Sequence, residues 1–138
     1  MICLTVEGKY KLFVEKSKRF FEDAVNNYEK QYYDLSMFSL HQSLELLLRA
    51  LLIKNAREFP HSHNLKNLME TLSEMKNSEC TTIIKSYLKK YGLELSIITD
   101  GYVTSRYLES SYDGSDIQKL INVVKEMKEG MQDVCWLI

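Results

Sequence analysis

The sequence is poor in the residues that break helices. Among its 138 residues there are one proline and five glycines. A β-sandwich needs many tight turns, which are rich in proline and glycine. The scarcity of these residues therefore favours long helices over a β-sandwich. With 45% hydrophobic residues, a chain of this length can bury a core without help from a metal or a disulfide. The composition therefore predicts one globular domain over residues 1–138.

Two further absences narrow the classes of function. The net charge is −1, so no overall positive field draws the protein towards nucleic acid. No apolar run approaches the roughly 18 residues that a membrane span needs. We therefore expect a soluble protein that does not interact with membranes.

Cysteine is scarce and forms no recognisable motif. Cys3, Cys80 and Cys135 make no CxxC pair and have no zinc-type spacing. An odd number of cysteines without a framework suggests a reducing compartment, so we predict a cytoplasmic protein without a metal or another cofactor. Cys80 and Cys135 fall on apolar stripes, which predicts that both are small, buried side chains.

Apolar residues recur at three- and four-residue steps in most of the chain. This periodicity predicts helices over residues 7–31, 33–56 and 64–76, a fourth that starts near Ser78 and ends or kinks at Gly92, and a last one from Ser115. Ser115-x-x-Gln118 has the form of a capping box. The segment 93–107 has a weaker signal, and its Asp100-Gly101 pair is typical of a turn. Long helices with short connections predict an all-α, up-and-down antiparallel bundle of four or five helices.

The second predicted helix is apolar nearly all round, which marks it as the central helix. Gln42, Glu45 and Arg49 nevertheless share one line on it, because they are separated by three and four residues. Charged side chains are costly on such a helix unless they are paired. Two interpretations remain open: an intrahelical ion pair at the edge of the core or in a subunit interface, or a polar site completed by a charge from elsewhere in the chain.

Arg106 is the candidate for that additional charge. It lies beside Tyr107, with Tyr102 before it and Tyr112 beyond. An arginine among tyrosines can bind phosphate or stack on bases. It can equally extend from the core and cap the end of a helix.

The three histidines offer a second kind of chemistry. His61 and His63 have an H-x-H arrangement, but no third metal ligand is evident near them. We expect His63 instead to cap the third helix or to form a hydrogen bond there. His41 lies on the central helix next to Gln42.

Three motifs resemble those of HEPN domains. The run Ser39–Leu52 resembles the family's second helix, in which a glutamine and a glutamate precede a basic residue. His63-Asn64-Leu65 with Leu68 is similar to the start of the family's third helix. Arg106-Tyr107 resembles the family's Arg-Tyr pair, with Leu108 in place of the usual proline. The resemblance extends from about Lys11 to Val134.

The resemblance implies a helical bundle that usually dimerises. Many members are encoded with a minimal nucleotidyltransferase in toxin–antitoxin-like modules. Active members are metal-independent RNA-cutting enzymes that use an arginine and a histidine separated by four to six residues, at the junction of two subunits. Here the corresponding positions after Arg106 hold Ser111, Tyr112 and Asp113, and general acid–base cleavage lacks its usual imidazole there. Arg57 with His63 matches the spacing, but it lies between the second and third predicted helices.

These observations support three hypotheses. The first is a HEPN homodimer that is a non-catalytic or weakly catalytic partner of a nucleotidyltransferase in a toxin–antitoxin-like module, and binds nucleotide or RNA. Its polar groove would contain Gln42, Glu45, Arg49, Arg106 and Tyr107. The second is a divergent metal-independent endoribonuclease that uses Arg106 with tyrosines, or Arg57 with His63. The third is a purely structural helical dimer. The sequence leaves open whether the protein is an enzyme.

Overall fold

A computed structural model describes residues 5–55, 60, 62–75, 78–107 and 112–135, with the backbone alone at 78 and 105–107. The described residues form six α-helices: α1 Val6–Glu29, α2 Tyr33–Lys54, α3 Leu65–Ser73, α4 Ser78–Lys90, α5 Gly92–Tyr107 and α6 Gly114–Cys135. The predicted all-helical bundle is confirmed, and the weak segment 93–107 provides a helix of its own. Within the described residues, no helix is both long enough and apolar enough to cross a membrane.

Helices α1 and α2 form an antiparallel hairpin with defined ends. Thr5 caps the start of α1, since its Oγ1 accepts a hydrogen bond from the amide of Gly8 at 2.9 Å. At the other end, the amide of Tyr32 bonds to the carbonyl of Asn27 and the amide of Gln31 to that of Tyr28. This pattern is a Schellman motif. Gln31 accordingly has a positive φ of 64°, a conformation that suits glycine better.

The core is centred on α2, as the sequence predicts. This helix contacts α1, α3, α5 and α6, and its leucines at positions 40, 44, 47, 48, 51 and 52 are almost completely buried. Such burial on several sides explains why α2 is apolar nearly all round. The helix ends at Lys54, with Asn55 as its C-cap, two residues before the predicted end at Ala56.

Helices α3 and α4 pack against each other on one side of α2. Asn64 caps α3, because its Oδ1 accepts hydrogen bonds from the amides of Lys66 and Asn67. In α4, Cys80 is fully buried, as is Cys135 in α6. The two are joined in a disulfide, a pairing that the spacing does not predict because 55 residues separate them.

Two local predictions are wrong. Asp100-Gly101 is not a turn but part of α5, and the glycine serves close packing instead, since a Cβ at Gly101 would clash with Cγ of Met37. Helix α6 begins at Gly114 rather than Ser115. Asp113 caps it, with Oδ1 accepting a hydrogen bond from the amide of Ser115 at 3.0 Å.

Candidate functional site

The polar stripe of α2, formed by Gln42, Glu45 and Arg49, faces the connection that leads into α3. Glu45 is at its centre, with a side chain that is only 7% exposed. Its Oε2 lies 3.4 Å from Nε of Arg49, one turn along the same helix, and its Oε1 lies 2.7 Å from Nδ1 of His63. Both earlier interpretations are therefore partly realised: an intrahelical ion pair exists, and a residue from elsewhere in the chain reaches it.

The same face of α2 also holds the backbone of that connection. Arg49 Nη2 donates a hydrogen bond to the carbonyl of Ser62 at 3.0 Å, and Nε2 of His41 lies 2.7 Å from the carbonyl of His63. Two side chains of α2 thus fix two successive peptide groups. His63 is consequently positioned by its own backbone as well as by Glu45; its side chain bonds to α2, whereas Asn64 caps α3.

His41 is a buried member of this arrangement. Gln42 Nε2 lies 3.3 Å from His41 Nδ1, and an amide nitrogen can only donate, so Nδ1 is the acceptor. The ring hydrogen is then on Nε2 and is donated to the carbonyl of His63. Burial lowers the pKa of His41, although the bond to that carbonyl and the charge of Glu45 oppose the shift. A neutral imidazole fits both observations.

Tyr102 of α5 covers the two imidazoles. Its ring stacks on His41 with centroids 4.2 Å apart and an interplanar angle of 23°. It also lies 4.9 Å from the ring of His63, and Phe38 stacks on it at 5.8 Å. These contacts restrict the orientation of both imidazole rings. We call the set Glu45, Arg49, His41, Ser62, His63 and Tyr102 the His63 cluster.

His63 is the member of the cluster that meets solvent. Its side chain is 57% exposed, and in the described part of the chain its Nε2 has no hydrogen-bond partner. Glu45 accepts the hydrogen of Nδ1 and so leaves Nε2 as the outward-facing atom. A carboxylate that fixes a histidine in this way is the arrangement used to orient a general base or a donor to an anion.

The other predicted site residues are placed less completely. The backbone of Arg106 lies one helical turn beyond Tyr102 on α5, and Tyr107 is the last residue of that helix. Arg57 lies outside the described residues. Among the described residues, no group of three or more His, Cys, Asp or Glu side chains is arranged to hold a metal ion.

Sequence reasoning missed the contributions of Ser62, His41 and Tyr102 to the cluster. Ser62 takes part through its carbonyl oxygen, which every residue has, so no sequence signal could have found it. His41 and Tyr102 have a weak signal in the sequence. His41 adjoins Gln42, and Tyr102 is one turn before Arg106, and the motifs single out both Gln42 and Arg106.

The fold is a small helical domain. The oriented, exposed imidazole of His63 at one edge of its central helix is a candidate site for an anionic ligand. The chain matches the family model of the HEPN domain over residues 10–134. It therefore belongs to the HEPN domain family. No curated protein and no solved structure matches the chain significantly.

Proposed function

We propose that this HEPN protein binds RNA or nucleotides at the His63 cluster, as a non-catalytic or weakly catalytic homodimer that partners a minimal nucleotidyltransferase in a toxin–antitoxin-like module. The observation that carries the binding proposal is the exposed imidazole of His63, which is bonded at 2.7 Å to the buried carboxylate of Glu45. Such a ring presents Nε2 to solvent in a fixed direction. When the ring is protonated, both nitrogens carry a hydrogen, and Nε2–H can donate to a phosphate oxygen while Nδ1–H stays bonded to Glu45.

The surroundings support a phosphate as the ligand. Arg49 neutralises Glu45 within the cluster, so the carboxylate presents less uncompensated negative charge to an incoming anion. The backbone of Arg106 is on the same side of α5 as Tyr102, one turn further on, and we propose that its guanidinium provides a second phosphate contact. We include Gln42 and Tyr107 in the proposed groove because the family motifs single them out.

Fluorescence anisotropy with a labelled single-stranded RNA tests the binding proposal. His63→Gln removes the oriented imidazole and should weaken binding by about tenfold, which is the usual value of one charge-assisted hydrogen bond. Lys85→Gln is the matched control, because it removes a charge from the exposed surface of α4 and should have little effect. Binding by His63→Gln that equals wild type, or no binding by wild type, would contradict the proposal.

A second function is favoured by the same geometry. A histidine held by a carboxylate can act as a general base towards a ribose 2′-hydroxyl, so a divergent endoribonuclease remains the alternative proposal. Incubation of RNA with the protein in EDTA separates the two functions. Cleavage by wild type that is lost in His63→Ala would support the enzyme, with Arg106→Ala testing the arginine. Intact RNA at high protein concentration would refute it.

The homodimer proposal rests on the outer surface of α5. Leu93 and Ile97 lie one turn apart and are 72% and 40% exposed, which is unusual for large apolar side chains in neighbouring positions. We propose that a second copy of the chain covers them. Leu93→Asp should shift the protein from dimer to monomer in sedimentation experiments, whereas Leu12→Asp on α1 should not. A monomeric wild type would overturn the proposal.

The nucleotidyltransferase partner is proposed from family membership. Co-purification with a minimal nucleotidyltransferase encoded by a neighbouring gene tests it directly. Failure of the two proteins to co-elute, together with unchanged thermal stability of each in the mixture, would refute it.

The cytoplasmic location also remains a proposal, and the Cys80–Cys135 disulfide bears on it. Such bonds are rare in the cytosol, where thiols are kept reduced. Titration of free thiols in protein trapped directly from cells would decide. Reduced Cys80 and Cys135 are the result expected of a cytoplasmic protein.

A further inference from the structure

A lysine is buried where three helices meet, on the other side of α2 from the His63 cluster. Lys128 of α6 is only 7% exposed. Its Nζ donates hydrogen bonds to the carbonyl of Ser17 in α1 at 3.1 Å and to Oγ of Ser43 in α2 at 2.6 Å. The two serines also bond to each other's backbone, from Ser17 Oγ to the carbonyl of Ser43 and from Ser43 Oγ to the carbonyl of Ser17. A polar junction is thus built into the core.

This ammonium group has no acidic partner in the described part of the chain. Among the residues that the structure describes, no carboxylate forms an ion pair with Lys128. Burial, together with the smaller effect of the nearby charge of Lys18, lowers the pKa of Lys128 from 10.5 to about 8. With a pKa of about 8, roughly a quarter of the amine is neutral at pH 7.5. An ordinary exposed lysine has far less of the neutral, nucleophilic form at that pH.

Lys128 is one of the residues that line a cavity of about 240 Å³. The ring of Phe21 forms an apolar wall, with its centroid 5.1 Å from Nζ. The charged groups around the cavity are Lys18 and Glu22 from α1 and Lys125 and Glu129 from α6, and α2 contributes no charge. The volume is below the roughly 300–1,000 Å³ of pockets for drug-sized ligands, so only a small molecule fits.

The hydrogen bonds leave the nitrogen able to react. A neutral amine has two hydrogens, and the oxygens of Ser17 and Ser43 can accept both. Its lone pair is then not engaged by either serine. Desolvation and a neighbouring cation are the two devices that activate lysine as a nucleophile in proteins, and both are present here.

We propose that Lys128 is a reactive amine that forms an imine with a small aldehyde or keto acid bearing an anionic group, held in the cavity beside Phe21. In this step the Nζ lone pair attacks the carbonyl carbon and gives a carbinolamine. The nitrogen gives up its two hydrogens, which end on the former carbonyl oxygen, and this oxygen leaves as water while the C=N bond forms. One aldehyde and one amine thus give one imine and one water. The anionic group of the ligand would face the ammonium groups of Lys18 and Lys125.

Pyridoxal 5′-phosphate is a suitable probe, because it combines an aldehyde with an anion. The full chain is incubated with a limiting amount at pH 7.5, reduced with borohydride and digested, and the labelled lysines are identified by mass spectrometry. Lys128 should be labelled at least about tenfold faster than exposed Lys119 on the opposite side of α6, since much more of its amine is neutral. Pyridoxal, which lacks the phosphate, should label Lys128 more slowly.

Variants make the test specific. Lys125→Gln should slow the labelling of Lys128 by the phosphate-bearing probe but not by pyridoxal, whereas Lys119→Gln should change neither rate. Both substitutions are on exposed positions of α6, so folding should be unaffected, which circular dichroism would verify. Labelling that follows exposure alone, with Lys128 unmodified, would overturn the proposal and leave the lysine a purely structural group. Labelling of Lys128 no faster than that of Lys119 would overturn it equally.

Discussion

Replacement of the buried lysine tests the electrostatics of the core quantitatively. The pKa of Lys128 falls from 10.5 in the unfolded chain to about 8 in the folded one, a difference of about 2.5 units. At 1.36 kcal/mol per unit, the ammonium form is destabilised by about 3 kcal/mol relative to the neutral amine. At pH 7 Lys128 is mostly protonated in both the folded and the unfolded chain, so almost all of this destabilisation of the folded protein is present.

The sign of the pH dependence follows from proton binding. Between pH 8 and 10.5 the unfolded chain binds more protons at this residue than the folded chain, so the free energy of unfolding rises with pH there. Lys128→Met lacks this contribution, and Met fits a lysine site in length. Between pH 7 and 9.5, wild type should therefore gain about 2 kcal/mol of stability relative to the variant.

Urea unfolding at a series of pH values, followed by circular dichroism, measures this difference. Lys125→Met is the control, because it removes an exposed lysine three residues earlier on α6 and should follow wild type throughout. Parallel pH profiles for wild type and Lys128→Met would refute the reasoning. They would mean that the lysine is solvated in the folded protein and is not confined to the junction of α1, α2 and α6.

Three other changes have defined outcomes. Gln31→Gly should stabilise the protein by about 1 kcal/mol in thermal unfolding, because Gln31 has a positive φ at the C-terminal end of α1; a lower Tm would contradict this. His41→Asn should reduce the loss of stability below pH 6.5, since burial lowers the pKa of His41 and the unfolded chain takes up the proton first; an unchanged acid profile would argue against a buried neutral imidazole. Cys135→Ser should cost about 3–4 kcal/mol without reductant, because it opens a 55-residue loop, and little with reductant present; equal losses in both conditions would show that the bond to Cys80 does not form.

The helices could be predicted because their signal is local. In α3, the apolar stripe expected from three- and four-residue steps is the buried face, with Leu65, Leu68, Met69 and Leu72 fully buried. Repetition of this kind needs only the residue types and the helical period. The wrong turn at Asp100-Gly101 shows the limit of local signals, since that glycine is needed for contact with Met37 of another helix.

The candidate site could be predicted only in part, because its contacts are between distant residues. The motifs single out Glu45 and His63, but periodicity does not place them 2.7 Å apart. The same holds for Lys128, which lies among the buried residues of α6 and whose partners Ser17 and Ser43 are in two other helices. A hydropathy pattern also assigns any lysine to the surface, so the sequence does not indicate that Lys128 is buried.

The polar residues of α2 offer a reason why this apolar helix packs in one register. Ser43 and Glu45 are two residues apart and point to nearly opposite sides of the helix. Ser43 is bonded to α1 and α6, and Glu45 to the connection before α3. A shift of α2 by one turn would move it by about 5.4 Å and break both sets of hydrogen bonds. The leucines of α2 could still make apolar contacts after such a shift. Specific hydrogen bonds therefore distinguish the native register from its neighbours. The bond from Glu45 also attaches His63 to the buried central helix of the domain, which is the support that an oriented imidazole requires.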